Sequence, residues 1–178
     1  MLSSQQRIVV LDDDEDSLNY FKIMLKPFTC CEIKYYTSPD ENFVEYVNNN
    51  DIDLFIMDIV LQDDQSGLNI CEEIVFNKRG SIFLFVSGYD YDINSFEHLR
   101  GKCVYDFLSK PIDVSELNIV VSTLLNVASS YKVSFVNTRV KPRESQMDSL
   151  RKNYMDLIKQ DQMLIKKLKE TNTLSISL

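Results

Sequence analysis

Five side chains that could handle a phosphoryl group lie at or just after the ends of short apolar runs. They are Asp12, Asp13, Asp58, Ser87 and Lys110. Three carboxylates held close together raise one another's pKa unless a cation neutralises them, and oxygen ligands of this kind suit Mg²⁺. A carboxylate can also act as a nucleophile and form an aspartyl phosphate, while a metal ion and a lysine offset the charge on the phosphoryl oxygens. The residue types therefore indicate magnesium-dependent phosphoryl chemistry, provided that the fold brings them together.

The apolar runs are predicted to be β-strands, because they are short and rich in Val, Ile, Phe and Tyr. They cover residues 7–11, 32–36, 53–57, 82–86 and 103–108. Helical spacing appears between them, at about 15–26, 39–48, 67–77 and 92–100, and again from about 114. This alternation predicts an α/β fold with a parallel sheet covered by helices on both faces. In such sheets the functional residues lie outside the carboxyl ends of the strands, where the five side chains fall.

Capping residues place two of the helix starts. The stretch "SPDE" predicts that Ser38 caps the second helix, with Pro39 at its first helical position. Residues 14–16 continue the acidic run and are expected in the first turn of the first helix, where the helix dipole favours negative charge. Asp12 and Asp13 are thereby separated from the acids that follow them.

Composition and charge indicate a folded chain that binds neither nucleic acid nor membrane. Hydrophobic residues make up 44% of the 178 residues, and no apolar run approaches the roughly 20 residues needed to cross a bilayer. The four cysteines lack metal-binding spacing, and His98 has no evident acid partner, so we expect reduced thiols and a cytoplasmic location. Residues 1–139 contain 11 Lys and Arg against 22 Asp and Glu, a net charge of −11, which disfavours contact with a phosphate backbone.

Residues 5 to about 130 resemble the receiver domain of two-component response regulators. The resemblance rests on the acidic pair in "VVLDDDEDS", Asp58 in "DLFIMDIVLQDDQSGL", Ser87 in "LFVSGY", and Phe107 and Lys110 in "YDFLSKPID". These residues occur in the family's order at or near the ends of predicted strands. The loop after Asp58 departs from the family, with Gln62 where a proline is usual and with one extra residue.

The resemblance implies a flavodoxin-like (βα)5 doubly wound parallel sheet, with strand order 2-1-3-4-5 and a C-terminal helical extension. It implies that Asp58 accepts a phosphoryl group from the histidine of a sensor kinase or phosphotransfer protein. Mg²⁺ would be bound by Asp13, Asp58 and the backbone carbonyl of Val60, and by Asp12 through water. Lys110 would pair with the phosphoryl group.

The resemblance also implies a conformational switch. Ser87 would move toward the phosphoryl oxygens, and Phe107 would turn inward. The face formed by the fourth helix, the fifth strand and the fifth helix would then change shape. Pro111 follows the lysine, and the peptide bond before this proline is often cis in the family.

The receiver-like part is predicted to cover residues 5–130, and three segments follow it. Residues 131–142 extend the fifth helix or form a linker, residues 143–172 form an amphipathic or coiled-coil helix, and residues 173–178 form a frayed tail. The heptad seam of the predicted helix consists of Met147, Leu150, Tyr154, Leu157, Asp161, Leu164 and Leu168. Three roles stay open for it: folding back onto the receiver, homodimerisation, and binding of a partner protein.

The favoured function is a phosphorylation-controlled signalling switch, whose output runs through protein–protein contact rather than a DNA-binding domain. A pseudo-receiver that acts as a scaffold without being phosphorylated is the alternative, because the loop after Asp58 is altered. A magnesium-dependent phosphohydrolase of the haloacid dehalogenase type is disfavoured. The stretch Asp58-Ile59-Val60 lacks the second acid of that family's Asp-x-Asp motif.

Overall fold

The structure is a computed structural model that describes residues 5–62, 66–78, 80–88, 93–99 and 102–136, together with the single residues 149, 152, 156 and 163. The five strands are β1 Arg7–Leu11, β2 Glu32–Tyr36, β3 Leu54–Asp58, β4 Ile82–Ser87 and β5 Val104–Ser109. The α-helices are α1 Glu15–Met24, α2 Glu41–Asn49, α3 Gly67–Asn77 and α4 Val114–Val136. A short 3-10 helix, Ile93–Leu99, lies between β4 and β5.

All five strands pair in parallel, in the order β2-β1-β3-β4-β5. The predicted fold class and strand order are therefore confirmed. In the register of the sheet, Leu11 lies opposite Met57, and Ser87 lies opposite Ser109. The residues that follow these strands consequently meet at one edge of the sheet.

The hydrophobic core has two layers, because successive side chains of a strand point to opposite faces of the sheet. Ile8 and Val10 of β1 face α1 and α4, whereas Val9 and Leu11 face α2, α3 and the 3-10 helix. Every residue of β3 and β4 is buried, as expected for central strands covered on both faces. Each fully buried Phe or Leu contributes about 1.5–3 kcal/mol, so the two layers hold the edge with the acidic residues in place.

The predicted cap of the second helix is wrong. α2 begins at Glu41, and its cap is Asp40, which accepts a hydrogen bond of 2.9 Å from the N–H of Phe43. Ser38 and Pro39 precede the helix. Both serine and aspartate cap well, but the carboxylate of Asp40 also places a negative charge at the helix N-terminus. The capping role expected for the acids after Asp13 is confirmed, because Asp14 caps α1.

The predicted fourth helix is a 3-10 helix rather than an α-helix. In a 3-10 helix, side chains three residues apart lie on the same side. Phe96 and Leu99 have this spacing, and both are buried against the sheet. Their neighbour His98 is exposed, and its Nε2 lies 3.0 Å from Oε1 of Glu72 on α3. This acid partner, which the sequence did not reveal, joins the 3-10 helix to α3.

α4, the last helix with a described range, is longer than is needed to span strands of five or six residues. α4 has 23 residues and ends at Val136, so the start of the predicted segment 131–142 is helical. Most of the predicted helix 143–172 and the tail 173–178 lie outside the described residues. The single residues described there, 149, 152, 156 and 163, are helical and exposed. Within the described part of the chain, no helix is long and apolar enough to cross a membrane.

Candidate functional site

Three carboxylates meet at the carboxyl edge of the sheet. Asp12 directly follows β1, Asp13 comes next, and Asp58 is the last residue of β3. Each has an oxygen within 4.8 Å of an oxygen of the other two. Asp12 is 1% exposed and Asp58 8%, whereas Asp13 is more open to solvent. Neighbouring strands therefore bring together the three acids that were singled out in the sequence.

Lys110, which directly follows β5, completes the cluster. Nζ of Lys110 donates hydrogen bonds to Oδ2 of Asp58 at 2.5 Å and to Oδ2 of Asp12 at 2.8 Å. The main chain of Lys110 is fixed as well, because its N–H donates to the carbonyl of Ser87 at 2.7 Å. The peptide bond that joins Lys110 to Pro111 is cis. The ammonium thus lies between two strand ends that are 52 and 98 residues away in sequence.

The electrostatics of the cluster show an excess of negative charge. Burial raises the pKa of Asp12 above its ordinary value, although the hydrogen bond and charge of Lys110 act against this. Burial alone would lower the pKa of Lys110, but hydrogen bonds to Asp12 and Asp58, and their charges, raise it. One ammonium does not balance three carboxylates. The cluster could therefore bind a metal ion, and its oxygen ligands fit a hard divalent cation such as Mg²⁺.

Asp58 is held from several sides. Its Oδ1 accepts a hydrogen bond of 2.9 Å from the N–H of Val60, while Oδ2 accepts from Lys110. Gly67, the first residue of α3, lies against the main chain of Asp58, and a methyl group at position 67 would overlap the carbonyl oxygen of Asp58. The N–H of Gly67 donates to the carbonyl of Ile59 at 3.0 Å. The loop after β3 thus returns onto the strand and leaves no room for a side chain at position 67.

The two predicted switch residues lie in different surroundings. Ser87 is the last residue of β4, is fully buried, and lies at the same edge as the carboxylates. Phe107 is partly buried on β5 and packs toward the 3-10 helix, with its ring edge-on to Phe96 at 6.5 Å between centroids. Phe96 also stacks on Tyr105 at 5.4 Å. The side chain of Phe107 therefore belongs to an aromatic cluster on one face of the sheet rather than to the acidic cluster.

One contact of the site was missed in the sequence. Nζ of Lys110 also donates to Oγ of Ser17 at 3.3 Å, and this hydroxyl donates to Oδ2 of Asp14 at 3.1 Å. Ser17 is the third residue of α1 and follows the acidic pair by four residues. Its place in the first turn of a helix that begins beside the acids is only a weak indication that Ser17 lies near the site. Nothing in the sequence indicates that a lysine 93 residues away reaches it.

The sequence and the fold are similar to those of known response regulators. Residues 8–122 match the sequence profile of the response regulator receiver domain. Regulatory protein VanR of Enterococcus faecium is 29% identical over 111 residues, which make up 62% of this chain and 46% of VanR. The match therefore spans about half the length of this curated relative.

Solved structures of receiver domains share the fold. The signal receiver domain of an HD domain-containing protein from Pseudomonas fluorescens Pf-5 has a TM-score of 0.62 at 19% identity, covering 74% of this chain and 95% of that one. A CheY-like receiver domain protein from Methanospirillum hungatei JF-1 has a TM-score of 0.61 at 23% identity, covering 72% and 99%. Because the family profile covers more than half of the sequence, the chain belongs to the response regulator receiver domain family.

Proposed function

We propose that this receiver domain is a phosphorylation-controlled switch that takes a phosphoryl group onto Asp58. The single observation that supports this most is the contact of one ammonium, that of Lys110, with the buried carboxylates of Asp58 and Asp12 at the carboxyl edge of the sheet. In such a transfer, an oxygen of Asp58 bonds to phosphorus while the bond from phosphorus to a histidine nitrogen of the donor breaks. The electron pair of the broken bond stays with that nitrogen.

Mg²⁺ is the proposed cofactor, with Asp13, Asp58 and the backbone carbonyl of Val60 as direct ligands and Asp12 as a ligand through water. When bound, the ion would neutralise charge on the phosphoryl oxygens. The excess of carboxylates over cations in the cluster supports this assignment. Lys110 would release Oδ2 of Asp58 and donate to a phosphoryl oxygen instead.

Ser87 and Phe107 are the proposed switch residues. The buried hydroxyl of Ser87 lies at the end of β4 beside the strand that carries Asp58, so a movement toward a phosphoryl oxygen would be short. Phe107 lies only three residues before Lys110, at the junction with the 3-10 helix. A change at the site would therefore reach the face formed by the 3-10 helix, β5 and α4.

The proposed phosphoryl donor is a sensor histidine kinase or a phosphotransfer protein in the cytoplasm. The proposed output is contact with a partner protein or a second copy, rather than DNA binding or catalysis. The net charge of −11 over residues 1–139 supports an output other than DNA binding, because it repels the phosphates of a nucleic acid. The C-terminal segment 143–172 is the proposed contact element.

The test is to incubate the protein with Mg²⁺ and acetyl phosphate and to measure the intact mass. We expect wild type to gain the mass of one phosphoryl group and Asp58→Asn to gain none. Omitting Mg²⁺ should abolish the gain. A wild-type protein that stays unmodified under these conditions would favour the scaffold alternative. Light scattering before and after treatment then tests whether phosphorylation changes the oligomeric state.

A further inference from the structure

Lys110 has a third hydrogen-bond partner outside the carboxylates, and this partner belongs to α1. A lysine ammonium has three N–H groups. In the structure they are matched by three acceptors, which are Oδ2 of Asp58 at 2.5 Å, Oδ2 of Asp12 at 2.8 Å and Oγ of Ser17 at 3.3 Å. The side chain of Lys110 is 27% exposed, so these partners, rather than packing alone, determine where the ammonium lies.

The hydroxyl of Ser17 is itself held in place. It donates to Oδ2 of Asp14 at 3.1 Å, which leaves its lone pairs directed to an incoming N–H of Lys110. Asp14 is fixed in turn by the backbone N–H groups of Asp16 and Ser17, at 3.1 and 3.3 Å. A continuous chain of hydrogen bonds therefore runs from the cap of α1 through Ser17 to the ammonium.

We propose that Ser17 is a positioning residue that holds the ammonium of Lys110 for phosphoryl transfer; the proposal rests on the proposed function of Asp58. When Asp58 attacks phosphorus, its Oδ2 can no longer serve Lys110 as a full carboxylate oxygen. Lys110 must turn one N–H to a phosphoryl oxygen. Asp12 and Ser17 are the two partners that stay, and two fixed partners define a direction for the third N–H, whereas one does not.

The reaction that tests this uses acetyl phosphate as the donor. An oxygen of Asp58 bonds to phosphorus, the bond from phosphorus to the acetyl oxygen breaks, and its electron pair leaves with acetate. The rate is measured at saturating Mg²⁺ and acetyl phosphate from the growth of the phosphorylated mass. Hydrogen bonds to charged groups are among the stronger ones, but this one is long and partly exposed, so Ser17→Ala should slow transfer about tenfold.

Three comparisons distinguish positioning from a structural role. Ser17→Thr keeps the hydroxyl and should restore the rate to within about threefold of wild type. Mg²⁺ affinity, measured by calorimetry, should stay unchanged in Ser17→Ala, because Ser17 is not one of the clustered carboxylates. Ser115→Ala is the matched control, since Ser115 is an exposed serine in the first turn of α4, and it should leave the rate unchanged.

The outcomes separate this proposal from the proposed function. If wild type is phosphorylated and Ser17→Ala reacts at the same rate, the positioning role is overturned while the switch function stands. Equal losses in Ser17→Thr and Ser17→Ala would also overturn it, because the hydroxyl would then not matter. If wild type itself is not modified, the proposed function fails and the role of Ser17 fails with it.

Discussion

A methyl group at position 67 has no room beside Asp58, so Gly67→Ala should displace the end of β3. Besides the overlapped carbonyl oxygen, the carbonyl carbon of Asp58 would lie 3.1 Å and Cα of Ile59 3.4 Å from the added carbon. All three are main-chain atoms, which cannot rotate away as a flexible side chain can. The clash is relieved only if α3 or the end of β3 moves by about 1 Å, as overpacked cores require.

The size of the effect follows from what such a shift disturbs. β3 is central in the sheet and pairs with β1 and β4, while α3 is anchored by buried Ile70 and Cys71. Overpacking of this kind costs about 2 kcal/mol in the free energy of unfolding. A displacement of about 1 Å at a reacting carboxylate slows a positioned reaction by about 100-fold. We therefore expect both a less stable protein and a far slower phosphorylation of Asp58.

The assay combines urea unfolding, followed by circular dichroism, with phosphorylation by acetyl phosphate, followed by intact mass. Gly88→Ala is the matched control, because among the described residues, its chain neighbours aside, no heavy atom lies within 4 Å of an added methyl group there. Its stability should be unchanged or higher by about 0.5 kcal/mol, since alanine restricts the unfolded chain more than glycine does. Equal losses in both variants would mean that any glycine replacement is harmful, not the close approach to Asp58.

The reasoning is refuted if Gly67→Ala unfolds at the urea concentration of wild type and is phosphorylated at the same rate. The contact between α3 and the carbonyl of Asp58 would then be unimportant for the site. A loss of stability with a normal phosphorylation rate would refute only the predicted slowing of phosphorylation, because Asp58 would have kept its place while α3 moved.

Two further predictions concern charge and pH. Lys110→Met should lower the free energy of unfolding by about 3 kcal/mol in EDTA, because the buried carboxylates of Asp12 and Asp58 lose their cation. Added Mg²⁺ should reduce this difference between variant and wild type. An equal loss of stability with and without Mg²⁺ would contradict the reasoning. Burial and a hydrogen bond to Glu32 raise the pKa of Tyr46 to about 12, above its ordinary value of 10. The protonated phenol therefore contributes stability that is complete below pH 10 and is lost toward pH 12. Between these pH values, the free energy of unfolding measured in urea should fall less steeply in Tyr46→Phe than in wild type. The two slopes should differ by at most about 1.4 kcal/mol per pH unit, and identical slopes would exclude this role of Tyr46.

Strand positions were predictable because their signal is local, but the ends of β3, β4 and β5 each differ from the prediction by one residue. β1 and β2 have the predicted bounds. β3 was predicted one residue too early, because a charged residue looks like the end of an apolar run. Asp58 nevertheless pairs with Val86 and is part of the strand. Main-chain hydrogen bonding does not depend on the polarity of the side chain, so the pairing of β3 with β4 extends to Asp58.

The site was predictable only as far as it follows from topology. Parallel strands bring Asp12, Asp58 and Lys110 to one edge whatever the details of packing. The approach of Gly67 to Asp58 and the contact of Lys110 with Ser17 depend on how α3 and α1 dock, and no local pattern encodes those distances. The 3-10 form of Ile93–Leu99 was missed for a different reason, because seven residues are too few to separate a period of 3.0 from one of 3.6.

α4 is long enough to place its two ends at opposite edges of the sheet. The helix begins next to the acidic edge, four residues after Lys110, and runs back along the sheet for 23 residues, or about 34 Å. Strands of five or six residues cover only about 17–20 Å, so α4 extends past the opposite edge of the sheet. The C-terminal end of α4, at Val136, therefore lies at the edge of the sheet opposite to Asp58. A partner that contacted this end of α4 would lie away from a phosphoryl donor at Asp58, so the two would not compete for space.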